Sequence, residues 1–233
     1  MGGVSRFPNM PSRIQGLPRD SRGFPVPWFV AWFKGPDKMH ETIPGAGEPD
    51  FRVIAAGKLA RAYHAKLCWI CGQPLGSFKV FVIGPMCVVN RVTSEPPSHR
   101  DCATFAAEAC PFLTKPRMRR NDKGIEEMGG LSRGLHIDRN PGATALYQTN
   151  DYRPFKAGKE SWNVLFQLGP PDRVDWFAEG KTATREQVLA SIDSGFPLLM
   201  ETAVKHDGPE GVKELLKMRD AAMIHLPQAL QEA

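Results

Sequence analysis

The chain predicts an α+β protein, and three groups of residues carry that expectation. Cys68-x-x-Cys71 and His99-x-x-Cys102 can gather an N-terminal region around one point. Three β-prone runs, 143–149, 162–168 and 174–177, predict an antiparallel meander further on. Capped helical periodicity from Thr184 onward predicts a set of C-terminal helices.

The totals set the frame. A chain of 233 residues makes one large domain or two small ones. With 42% apolar and 24% charged residues it has the composition of a soluble globular protein. Five unevenly spaced cysteines do not form a disulfide scaffold, and a Cys-x-x-Cys pair points to metal in a reducing compartment. Met1 to Pro8 lacks the apolar run of a signal peptide, and no stretch approaches the ~20 apolar residues of a membrane helix. A cytoplasmic chain without a membrane partner is therefore expected. The formal net charge of +5 permits an acidic partner such as nucleic acid without requiring one.

Taken in order, residues 1–26 are rich in Pro, Arg and Gly and read as an extended arm. Trp28 to Phe33 is a β-prone run ended by Gly35-Pro36, and Phe51 to Ile54 is a second strand. Over 55–66, Leu59, Ala62 and Tyr63 share a helical face, and this helix delivers the chain to Cys68. Phe78 to Ile83 reads as a strand closed by Gly84-Pro85, with Met86 to Val92 as its hairpin partner. Ser98 is an N-cap with Asp101 three residues on, so a helix starts there and stops before Pro111. Gly169 to Asp172 is a turn that would pair the last two strands of the meander. Thr184 and Gln187 form a capping box, Gly195 reads as a stop, Pro197 opens a further helix over 197–206, and 209–225 forms the last. The division expected is an arm over 1–26, a metal-organised region over 27–130 and a meander with helices over 131–233, the last two as separate bodies or one continuous domain.

The Cys and His pairs are a zinc-ligand set. Zinc takes four soft or borderline donors tetrahedrally. Two thiolates converge from the tight turn Cys68-Trp69-Ile70-Cys71-Gly72, and His99 and Cys102 lie one helical turn apart on a common face. Four protein ligands leave no open position, so the expected Zn2+ is structural. The alternatives are ordinary buried cysteines with a chance histidine, a redox Cys-x-x-Cys pair, Cys87 in place of His99, and an iron–sulfur cluster using several of the five cysteines. Cys110 reads as a small buried apolar residue.

Knuckle, hairpin and helix with the second pair resemble the treble-clef zinc fold over roughly residues 66–112. The runs Cys68 to Gly72, Phe81 to Cys87 and Pro96 to Ala103 also resemble uncharacterised bacteriophage and bacterial proteins. That resemblance implies a phage or mobile-element origin and brings no catalytic residue.

Further residues suggest contacts. Arg117, Arg119 and Arg120 follow the zinc helix and are candidate phosphate contacts, with Trp69 a candidate stacking partner for a base. His136 and Asp138, at i and i+2, could join His206 or His225 in a second metal site serving a hydrolase or oxygenase. The hairpin region carries no histidine between Cys71 and His99, which argues against a treble-clef nuclease. No phosphate-binding loop, dinucleotide fingerprint or nucleophile elbow is present. The sequence thus favours a non-enzymatic, zinc-stabilised binding protein whose partner is nucleic acid or a host or phage protein. The alternatives are the metal-assisted enzyme and an inhibitor or assembly factor binding through the C-terminal helices.

Overall fold

The computed structural model describes residues 7, 9–35, 40–116, 118–119, 140–156 and 164–228. The chain forms two compact units that interleave along the sequence: residues 1–79 with 96–105, and residues 80–95 with 106–233. Both mix helices with antiparallel sheets.

In the first unit, β1 (Val30–Phe33) lies between β2 (Glu41–Thr42) and β3 (Glu48–Ile54). All four β1 residues are buried, which explains an apolar run where a half-exposed strand would alternate. Its register against β3 slips between Val30 and Ala31. A single-turn helix, α1 (Ser12–Gln15), sends Ile14 inward, and Val26 packs with Val30 and Trp32. Asp20 fastens the intervening turn by accepting from the Arg22 and Phe24 amides. Helix α2 (Lys58–His64) begins after Gly57, whose φ of 72° suits glycine.

The second unit holds two sheets. One runs β10-β9-β6-β4, built from β4 (Val80–Ile83), β6 (Thr144–Gln148), β9 (Arg173–Ala178) and β10 (Lys181–Thr182). The other runs β5-β8-β7, from β5 (Val92–Thr93), β7 (Tyr152–Lys156) and β8 (Val164–Leu168). Every residue of β6, a central strand, is buried.

Three expectations fail here, each for a physical reason. The hairpin partner expected over Met86 to Val92 is mostly a helix, α3 (Pro85–Asn90). Pro85 occupies its first turn with Gly84 extended before it, so a dipeptide read as a strand terminator is also a helix start. β4 pairs instead with β6, about sixty residues later in the chain. The expected pairing of the last two meander strands is also absent. β8 pairs with β5 and β7, β9 pairs with β6 and β10, and the Gly169 to Asp172 turn passes from one sheet to the other. The missing partner, β7, contains Arg153, Pro154 and Lys156, and its edge position tolerates the proline. Finally, α6 (Arg185–His206) is one helix that continues through Gly195 and Pro197. Burial of Val188, Ile192, Gly195 and Ala203 outweighs the propensity of two helix breakers.

The expected capping box is present, with Gln187 N–H donating to Thr184 Oγ1 and Gln187 Oε1 accepting from Thr184 N–H. Helix α7 (Gly208–Ala222) packs on α6 and α3, and a closing 3-10 turn, Met223–His225, follows it. Trp176 Nε1–H holds that turn through the His225 carbonyl at 2.8 Å.

Candidate metal centre

The first unit contains the only cluster of three or more metal-ligand side chains among the described residues: Cys68, Cys71, His99 and Cys102. Their donor atoms all lie within 4.8 Å of one another. Cys68 and Cys102 are fully buried, Cys71 nearly so, and His99 is half-buried.

Short-range bonds shape the first pair. An isolated bridge between Leu67 and Pro74 closes the knuckle, the Cys68 amide donates to the Gln73 carbonyl at 2.8 Å, and Gly72 N–H returns to the Cys68 carbonyl at 2.8 Å. Gly72 turns the chain with φ +73°. A Cβ there would lie 2.5 Å from the Trp28 indole, so the position requires glycine for conformation and for space. Two backbone N–H groups point at the Cys68 sulfur, from Cys71 at 3.5 Å and His99 at 3.4 Å. Such donors favour a thiolate.

The second pair opens α4 (Arg100–Ala109), which the single-turn helix α5 (Pro111–Thr114) follows. The His99 carbonyl accepts the Ala103 amide at 2.9 Å, which makes His99 the N-cap, one residue beyond Ser98. Asp101 accepts from the Cys102 amide at 2.9 Å. His99 Nε2 lies 2.9 Å from the Pro74 carbonyl. That oxygen only accepts, so Nε2 carries the proton and Nδ1 presents its lone pair to the cluster. Nδ1 is 3.4 Å from Cys71 Sγ and 3.9 Å from Cys102 Sγ.

These distances test the donor set. Zinc bonds of about 2.3 Å to sulfur and about 2.0 Å to nitrogen put neighbouring S and N vertices of a tetrahedron roughly 3.5 Å apart. The two observed S···N separations bracket that value. An iron–sulfur cluster stands between its ligands and holds them further apart than a single ion does, so the spacing disfavours it. The four residues are compatible with a metal site, and no disulfide joins them.

Electrostatics indicates what a cation would change. Hydrogen bonds from Cys102 and then Cys71 hold the Cys68 thiol far below its ordinary range. The same contacts, with Cys68 first and then Cys71, push Cys102 far up, because its protonated thiol is the hydrogen-bond donor; burial and repulsion from the neighbouring sulfurs add to the rise. A divalent cation removes that penalty and allows all three sulfurs to ionise.

Other expected sites fare differently. Cys87 lies on α3 and is not a member of the cluster, whose fourth residue is His99. Burial, and then Glu95, raises its thiol to about 11. Trp69 is buried and stacks face to face on Phe29 at 4.5 Å, so no base can reach it. Arg119 is exposed, whereas Arg117, Arg120, His136 and Asp138 lie outside the described residues. His206 is exposed on the last turn of α6, and the His225 carbonyl is engaged by Trp176.

Sequence reasoning missed the Pro74 carbonyl and the Trp28 ring. The ring has a signal in hindsight, since a knuckle glycine beside an aromatic-rich segment suggests close packing. Among the described residues no helix is long and apolar enough to cross a membrane. The fold and site define a class, an α+β protein with a Cys3His cluster. Comparison with family models, curated proteins and solved structures gave no match that narrows it further.

Proposed function

We propose that Cys68, Cys71, His99 and Cys102 hold one structural Zn2+, and that the protein is a zinc-stabilised binding protein rather than an enzyme built on that metal. The single observation that carries this reading is the clustering of four donor atoms within 4.8 Å of one another, with two S···N separations of the size a tetrahedral ion sets. The ion would be fully ligated by protein and would supply folding free energy, on the order of 10 kcal/mol in small zinc domains. The clasp is of treble-clef type in its knuckle and helix. Where that fold has a hairpin, this chain has β4, α3 and β5, whose strands pair elsewhere. The partner is nucleic acid or another protein, met by the surface that the clasp holds in shape.

Elemental analysis of protein purified under reducing conditions tests the reading. One zinc per chain is expected, with a large fall in thermal stability on chelation and a similar fall in Cys102→Ser. Protein that carries no metal after exposure to zinc, and whose melting is indifferent to a chelator, would refute it.

A further inference from the structure

We propose that the groove beside the metal clasp binds single-stranded nucleic acid, with Phe78 as a stacking platform and Arg13 and Arg100 as phosphate contacts. This inference rests on the zinc-stabilised binding reading and supplies its partner and its surface.

The distribution of charge favours a polyanion here. The first unit carries 12 Lys and Arg against six Asp and Glu, while the second carries 18 against 19. The chain's excess positive charge therefore belongs to the unit that holds the cluster. Clustered cations raise the local concentration of a polyanion and dominate its affinity.

The groove itself has a volume of about 620 Å³ and opens widely to solvent. Arg13, Phe78, His99, Arg100 and Asp101 are among its lining residues. Phe78 is 61% exposed. A single exposed apolar residue is ordinary. This ring, however, shares a groove with two arginines, and that pairing suits a strand presenting flat bases and charged phosphates together. A peptide of acidic residues alone would use the cations and leave the ring without a partner. A duplex would keep its bases stacked away from it.

Both walls depend on the clasp. His99 donates from Nε2 to the Pro74 carbonyl and so holds the segment that leads to Phe78. The same histidine immediately precedes Arg100 at the start of α4. A metal bound at Nδ1 would fix the ring and, through it, the spacing of the groove.

Asp101 is the opposing charge. Its carboxylate accepts from the Cys102 amide at 2.9 Å and lies 3.5 Å from the Arg13 guanidinium, with Arg13 and Asp101 side chains 33% and 48% exposed. An exposed pair of this kind is weak, so a phosphate can displace the carboxylate. Asp101→Asn keeps an acceptor for the Cys102 amide and removes the negative charge. It should tighten binding about two- to threefold. A variant that merely loosens the fold would weaken binding, so the sign separates the two roles.

The test is fluorescence anisotropy with labelled oligo-dT and oligo-U of about 15 nucleotides, and a duplex of the same length, over a range of salt. The zinc-loaded full chain should bind both single strands more tightly than the duplex. Phe78→Ala should weaken binding about tenfold. Arg13→Gln and Arg100→Gln should each lower the salt slope by roughly 0.7, the share of one phosphate that is no longer neutralised. Zinc content and circular dichroism should match the parent protein in every variant. Zinc-loaded protein that leaves the oligonucleotides unbound would overturn this site and leave the metal reading intact. So would binding indifferent to Phe78→Ala, or tighter capture of a poly-glutamate peptide. Protein without metal would overturn both.

Discussion

Gly72→Ala should be among the most damaging small substitutions in the first unit, and its cost can be built from the coordinates. The backbone there has φ +73°, a conformation that costs a residue with a Cβ roughly 1–2 kcal/mol. The new methyl carbon would also sit 2.5 Å from Cδ1 and Cγ of Trp28 and 2.8 Å from its Nε1. These are ring atoms and cannot swing aside as a chain end can. The Trp28 amide is held by the Ile70 carbonyl at 2.7 Å, and the Lys58 ammonium lies 3.9 Å from the indole centroid. Displacing the ring breaks that packing, and overpacking of this kind costs typically about 1–3 kcal/mol. The sum is about 2–5 kcal/mol, a large share of a typical folding free energy. Urea unfolding in the presence of zinc, followed by tryptophan emission, measures it. Three of the five tryptophans, Trp28, Trp32 and Trp69, lie in the first unit, so the signal favours the right part of the chain. A double-mutant cycle separates the two contributions. In a Trp28→Ala background the clash is gone, and Gly72→Ala should cost only its backbone share, about 1–2 kcal/mol. An equal cost in both backgrounds, or a loss below about 0.5 kcal/mol in the parent, would refute the reasoning.

Three other outcomes follow from the same structure. Zinc affinity should rise with pH near neutrality, because Cys71 and Cys102 are held protonated while Cys68 is held as the thiolate. Release of about two protons per zinc implies a slope near two log units per pH unit, to be read by chelator competition between about pH 6.5 and 7.5. Asn140→Ala should cost at least about 2 kcal/mol, because this buried side chain donates to the carbonyls of Phe112, Leu113 and Lys115 and accepts the Gly142 amide; denaturant titration checks it. Pro197→Ala should stabilise the protein by roughly 1–2 kcal/mol, since the exposed proline interrupts the ladder of α6; an unchanged or lower melting temperature would contradict this.

The sequence disclosed what short-range chemistry determines. Cys68-x-x-Cys71 and His99-x-x-Cys102 each fix two ligands within one turn of chain, so their convergence needed only one long-range event. Thr184 and Gln187 cap a helix by local bonds alone, and that start was legible. Long-range pairing was not. Nothing in Val80 to Ile83 specifies β6 as its partner, and the β-rich run Val88-Val89 lies in a helix because Pro85 initiates one. The joining of 185–206 into one helix depends on burial of Gly195, which propensity cannot register. The groove was illegible for the same reason: Arg13, Phe78 and Arg100 meet only after the knuckle and α4 are brought together.

The order in which the chain leaves the ribosome gives the interleaved units a consequence. The last residue of the first unit is Phe105 and α4 is complete at Ala109, whereas β6 and β8 begin at Thr144 and Val164. A nascent chain that captures zinc as soon as Cys102 emerges must carry Val80 to Glu95 as an excursion with two orphan strands. One of them, Val80-Phe81-Val82-Ile83, is a strongly adhesive sequence until its partner arrives. Early metallation would thus shelter the ligands while leaving that segment in the care of whatever chaperone meets it first.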